Sequence, residues 1–140
     1  MFEATAQLLE VRLQTQNAGL GSPFAVKWPN TPWKQPANGE WLVPSVVPGS
    51  GRQDSLGSPK LERQLGILMV QIFVPKNSGD RRARAISDTI AGWFRYQTFK
   101  DDPTGTNVIL RAPELVKVGE RNDIYQMNLT VPFQAERLFS

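Results

Sequence analysis

QLGILMVQIFV, residues 64–74, decides the fold. Leu68, Val70, Ile72 and Val74 alternate with Leu65, Ile67, Met69 and Phe73, and Gln71 is the one polar residue after Gln64. A period of two predicts a strand, and apolar residues on both sides predict a strand that needs cover on both faces.

Downstream, Asn77-Ser78-Gly79-Asp80 supplies helix-start chemistry, and a helix is expected to run to about Gln97. At 100° per residue Ala83, Ile86, Ile90, Trp93 and Phe94 share one face, with Arg81, Arg84, Asp88 and Arg95 opposite. Asp101-Asp102-Pro103-Thr104-Gly105 reads as a turn into a short strand near residues 107–112. IYQMNLTVPF, residues 124–133, alternates Tyr125, Met127, Leu129, Val131 and Phe133 with polar residues, the pattern of a half-buried strand.

Upstream, residues 49–63 (GSGRQDSLGSPKLER) carry three glycines and no apolar period, and read as a long loop or an extended hairpin arm. A strand precedes them at residues 41–47, where Pro44 points to a sheet edge or a bend. Residues 20–40 are punctuated by proline, with a short strand expected at 25–28. Phe2, Ala6, Leu9 and Leu13 form one stripe of an N-terminal helix that Gly19 and Gly21 stop.

The fold expected is therefore α+β: one domain, residues 1–140, with a mostly antiparallel four- to five-stranded sheet packed by two helices. Two helices cover one face of such a sheet. The second apolar face of residues 64–74 is left for residues 20–63 folding back, or for another subunit. Burying three or four large side chains there is worth on the order of 5–10 kcal/mol.

Composition narrows the function. The 140 residues include neither Cys nor His, so disulfides, thiol nucleophiles, Cys-type zinc sites and the commonest general base are all absent. No metal or cofactor is expected. Asp101 and Asp102 are explained by their turn, and Asp80 and Asp88 are too far apart on a helix to converge. Serines lack a His partner or an S-x-x-K lysine, and Gly49-Ser50-Gly51 lacks the rest of a phosphate loop. The expected protein is not an enzyme. A net charge of +3 permits contact with nucleic acid without arguing for it. No apolar run approaches the roughly 20 residues that cross a bilayer. Glu3 and Glu10 stand where a signal peptide would be basic and then apolar, which argues for a chain kept inside the cell or exported another way.

Three groups of residues are candidate interaction sites. Trp28 and Trp33 sit in KWPNTPWKQP, residues 27–36, whose prolines stiffen an irregular segment that the tryptophans can pin to the sheet or to a neighbour. Pro29 to Pro32 also fits P-x-x-P, a pattern common by chance. Arg52, Lys60 and Arg63 lie in the 49–63 arm. Arg81, Arg84 and Arg95 lie on the polar face of the second helix, two of them near an N-terminus whose dipole disfavours them.

The succession of an N-terminal helix, V-K-W-P-N-T-P-W (26–33), W-L-V (41–43) and a glycine-rich basic loop is familiar. It continues with L-G-I-L-M-V-Q-I-F-V-P (65–75), G-D-R-R-A-R-A-I-S-D-T-I-A-G-W-F (79–94) and Y-Q-M-N-L-T-V-P-F (125–133). Together they resemble the tail terminator, or tail completion, proteins of long-tailed bacteriophages, over about residues 2–135. The resemblance implies a non-enzymatic virion protein, made in the host cytoplasm and placed at the head-proximal end of the tail. It implies a homo-oligomeric ring, usually a hexamer, that caps the tail tube, stops its polymerisation and meets the head–tail connector. Genome DNA would pass its channel without sequence-specific binding, and no membrane is involved. Neighbours in a ring would bury the second apolar face. A head–tail joining (neck) protein and a monomeric binding module using the tryptophans are the competing readings.

Overall fold

The computed structural model describes residues 3–29, 31–53 and 60–139; Phe2 of the helix stripe, Asn30 and the arm residues 54–59 lie outside it. The elements are α1 (Glu3–Ala18), β1 (Trp41–Gln53), β2 (Lys60–Pro75), a 3₁₀ turn (Lys76–Ser78), α2 (Gly79–Phe94), β3 (Thr98–Asp101), β4 (Thr106–Leu110), β5 (Glu114–Arg121) and β6 (Ile124–Phe139). The class is α+β as expected, but the antiparallel sheet has six strands rather than four or five.

Strand order is β1-β2-β6-β4-β3, and β5 also pairs with β6. β6 is the spine. One of its edges pairs with β2 from Pro75↔Ile124 to Lys60↔Phe139. Its other edge is shared: Ile124 to Thr130 face β5, and Phe133 to Glu136 face β4.

Both helices cover one face. Leu68, Val70, Ile72 and Val74 of β2 and Tyr125, Met127, Leu129, Val131, Phe133 and Ala135 of β6 are buried beneath them. Ala83, Ile86, Ile90, Trp93 and Phe94 of α2 are all buried, as their spacing predicts. α1 contributes Leu9 and Leu13, with Thr5 buried beside them. Arg12 locks α1 to α2 by donating Nε–H to the Trp93 carbonyl at 3.1 Å, its guanidinium lying over the Phe99 ring.

Several boundaries move. The expected 25–28 strand is one parallel bridge, Val26 to Leu42. Residues 49–53 and 60–63 are strand, and β6 runs six residues past Phe133 to accompany the latter. Past the last β4 pair, Asn107↔Glu136, β2 and β6 continue together for three more pairs to Lys60↔Phe139, and β1 accompanies them for one, Gln53↔Glu62. β3 and β5 are additional strands, and α2 ends three residues before Gln97, at Phe94.

β1 lies at the sheet edge, as Pro44 foretells. The Lys27 N–H donates to the Leu42 carbonyl at 2.8 Å, and the Leu42 N–H to the Ala25 carbonyl at 2.9 Å. Leu42 therefore turns its backbone groups away from β2. Its register with β2 is unbroken to Pro48, so Pro44, Val46 and Pro48 turn the same way. Both prolines occupy positions where the ladder needs no donor, and the outer edge loses two N–H groups it would otherwise display.

Candidate assembly surface

The face opposite the helices has no second layer within the described chain. Trp41, Val43 and Val47 of β1, Leu65, Ile67, Met69 and Phe73 of β2, and Val116 and Val118 of β5 belong to it. All are partly or well exposed, with Leu65 at 46%, Val116 at 45% and Val118 at 54% of full accessibility. β6 contributes a polar row to the same face, Gln126, Asn128, Thr130 and Gln134. Residues 20–28 do not fold back over it, and of the segment that follows Trp33 reaches its margin at Trp41. Leu20, Phe24, Val26 and Trp28 pack instead against the helix-side core.

The two tryptophans of the proline-rich segment end on opposite faces. Trp28 packs against the helix-side core and lines a small hollow with Leu9 and Leu13 of α1 and Pro44, Val46 and Leu68 of the sheet. Trp33 reaches around the β1 edge to Trp41, ring centroids 6.2 Å apart, and Trp41 stacks on Phe73 at 4.8 Å and 12°. The segment is a clamp on the sheet edge. Asn17 holds its near end through two hydrogen bonds with the Phe24 backbone, 2.8 and 2.9 Å. Glu40 holds its far end, accepting from Arg82 Nε at 2.7 Å and Nη2 at 3.1 Å. Trp41 and Phe73 also line an open hollow of about 480 Å³ with Val118, Ile124 and Gln126. Glu120, Arg121 and Asn122 line it too, and no metal-type cluster of acidic residues exists among the described residues. No helix there is long and apolar enough to cross a membrane.

The arm residues separate. Lys60 is exposed. Arg63 is tied within the chain: its Nε and Nη2 both donate to Glu136 Oε1, at 3.1 and 2.9 Å, from directly opposite on β6. Arg52 is opposite Arg63 on β1, but its side chain lies outside the described residues. Arg81 and Arg84 are exposed on the outer face of α2 and Arg95 is exposed just past its end, and among the described residues Arg84 forms no ion pair with Asp88, four residues on. Instead Arg84 is close enough to Asp80 for its charge to favour that carboxylate.

Asp80, in the first turn of α2, accepts from Lys117 Nζ of β5 at 2.6 Å. That hydrogen bond, with a second from Tyr125, lowers the Asp80 pKa, and the same contact raises that of Lys117. The sign follows directly. The Asp80 contribution is present above the ordinary carboxylate value and lost as pH falls below about 4; the Lys117 contribution is present below about pH 10 and lost above it. In Lys117→Ala the Asp80 carboxyl is expected to titrate at higher pH, which the NMR titration of its side-chain carbon measures. An unchanged titration would remove Lys117 as the cause. Sequence spacing gives no sign of this link between helix and strand. A signal for β5 itself does exist: Asn122 and Asp123, φ 51° and 65°, form a two-residue turn of the kind that joins hairpin strands.

The family model for the phage tail terminator protein matches residues 4–133. The chain belongs to that family. No curated protein sequence is detectably similar. One solved chain, known by a sequence label alone, shares 20% identity at a TM-score of 0.70, covering 93% of this chain and 95% of that one. A chain from the virion of a native gene transfer agent particle shares 14% identity at a TM-score of 0.56, with 95% and 96% covered. Both likenesses are of fold.

Proposed function

We propose that the chain assembles as a homo-oligomeric ring, a hexamer, on the finished end of the tail tube, and blocks the addition of further tube rings. On its other side the ring presents the attachment surface for the head–tail connector, and the genome passes through its channel without being read. The observation that carries this is the terminator family match across nearly the whole sheet and both helices. Two features support it. The open face leaves large apolar side chains exposed in the single chain, more than a monomer ordinarily tolerates. The ends of β2 and β6 run on beyond β4, where none of their described residues joins the core. The solved relative from a virion particle is consistent with a place in the virion. Arg81 and Arg84 on α2 and Arg95 just past it, all exposed, are assigned to a neighbour or to the channel wall.

The decisive experiment is electron microscopy of phage lysates lacking the protein. Abnormally long tails are the expected result. Tails of normal length that fail to join heads would make the protein a neck component instead.

A further inference from the structure

We infer that the free edge of β5 is completed by a strand from the arm of a second copy of this chain. This rests on the ring reading and names the contact that closes it. The two long edges of the sheet are finished differently. At β1 the outward backbone positions are Leu42, already bonded to residues 25–27, then Pro44, Val46 and Pro48, which leaves Val46 as the one free donor of the four. A proline-blanked edge cannot accept another strand.

β5 has no such protection along its first half. Leu42, Ile72, Met127 and Lys117 lie across four strands in register, and the alternation of bonded and unbonded pairs turns the backbone of Lys117 outward, with Leu115 alike. Among the described residues neither amide has a backbone partner on that side. The strand holds no proline, and six of its eight residues are exposed. A bulge between Lys117 and Gly119 ends the usable ladder at Lys117. The Lys117 side chain, which would otherwise guard the edge, is drawn to Asp80.

The arm is the matching donor. Past the register shift at Pro48, Gly51 and Gln53 pair with Gln64 and Glu62, and the same alternation turns their backbone groups outward with no proline among them. β3, the remaining edge, is four residues long. Arm to β5 is a contact between unlike surfaces, the type that propagates around a ring until it closes.

Amide hydrogen exchange on the purified full chain tests this, below and above its assembly concentration and on isolated tail tubes. The Leu115 and Lys117 amides are expected to gain roughly 100-fold protection on self-assembly, with Val46 unchanged. Lys117→Pro deletes an outward donor and is expected to abolish assembly, whereas Lys117→Ala, which loses only the Asp80 contact, is expected to assemble. Rings that form while both amides stay unprotected would overturn the contact and leave the ring reading standing. Protection that appears only on tail tubes, without self-association, would assign the strand to the tube protein and overturn the second copy. Absence of both rings and protection would overturn the two readings together. Should Lys117→Pro fail to fold, the exchange pattern of the unaltered chain decides alone.

Discussion

Removing residues 51–59 is expected to leave a folded chain that no longer stops tail growth. Among the described residues the buried core lies outside that stretch, and the β2–β6 ladder from Gln64 to Pro75 is untouched. Residues 49–50 and 60–65 remain to close the chain between Pro48 and Gly66, partners in the β1–β2 ladder. A shorter surface connection costs little, so the stability change should stay within about 1 kcal/mol. Function should fall far further. If the arm supplies the contact between subunits, no ring closes and the tube keeps polymerising. Urea denaturation and circular dichroism check the fold, and tail lengths in complemented lysates check the function. Tails of normal length that join heads would remove the arm from the mechanism.

A second large effect is expected inside the sheet. Gly66 of β2 faces Phe133 of β6, and a Cβ built at Gly66 comes within 2.5 Å of the Phe133 ring and 2.8 Å of the Val47 carbonyl oxygen. Phe133 is 2% exposed and cannot swing out to solvent, and the carbonyl belongs to the neighbouring strand. Neither can yield without moving backbone or repacking the core. Gly66→Ala should therefore cost about 2–3 kcal/mol, at the upper end for overpacking by one methyl. Trimming the ring relieves the clash, so Phe133→Leu should cost less in the Gly66→Ala background than alone. Urea midpoints for the four chains give the coupling energy directly. Additive costs would mean that the ring does not occupy the glycine's space.

These effects show which parts of the molecule sequence reasoning reaches. The two-faced β2 and the amphipathic α2 are legible because burial imposes a period on them: each of the five apolar α2 positions named from spacing is buried. Pro44 marks the edge correctly because it removes a donor. β5 escapes because its apolar residues Val116 and Val118 face the open side, and the bulge after Lys117 breaks the alternation. The end of β6 escapes because Gln134, Glu136 and Arg137 interrupt the apolar pattern, although Glu136 pairs across the arm with Arg63. The Trp28–Trp33 clamp shows in composition but not in placement: nothing in KWPNTPWKQP says that its tryptophans part to opposite faces.

β6 has one more consequence, and it concerns time. It pairs with β2, β4 and β5, yet it is the last strand to be synthesised. β2 is complete at Pro75, but its partner is not finished until Phe139, 64 residues later. At about 5–20 residues per second the β1–β2 hairpin waits on the order of 3–13 s for the strand that pairs its inner edge. During that interval its inner edge and both apolar faces are available to any passing chain, the condition in which nascent sheets aggregate. Folding is thus deferred until β6 emerges, and a chain stopped before residue 124 holds two separate strand pairs, β1–β2 and β3–β4, and two helices, but no strand to join them.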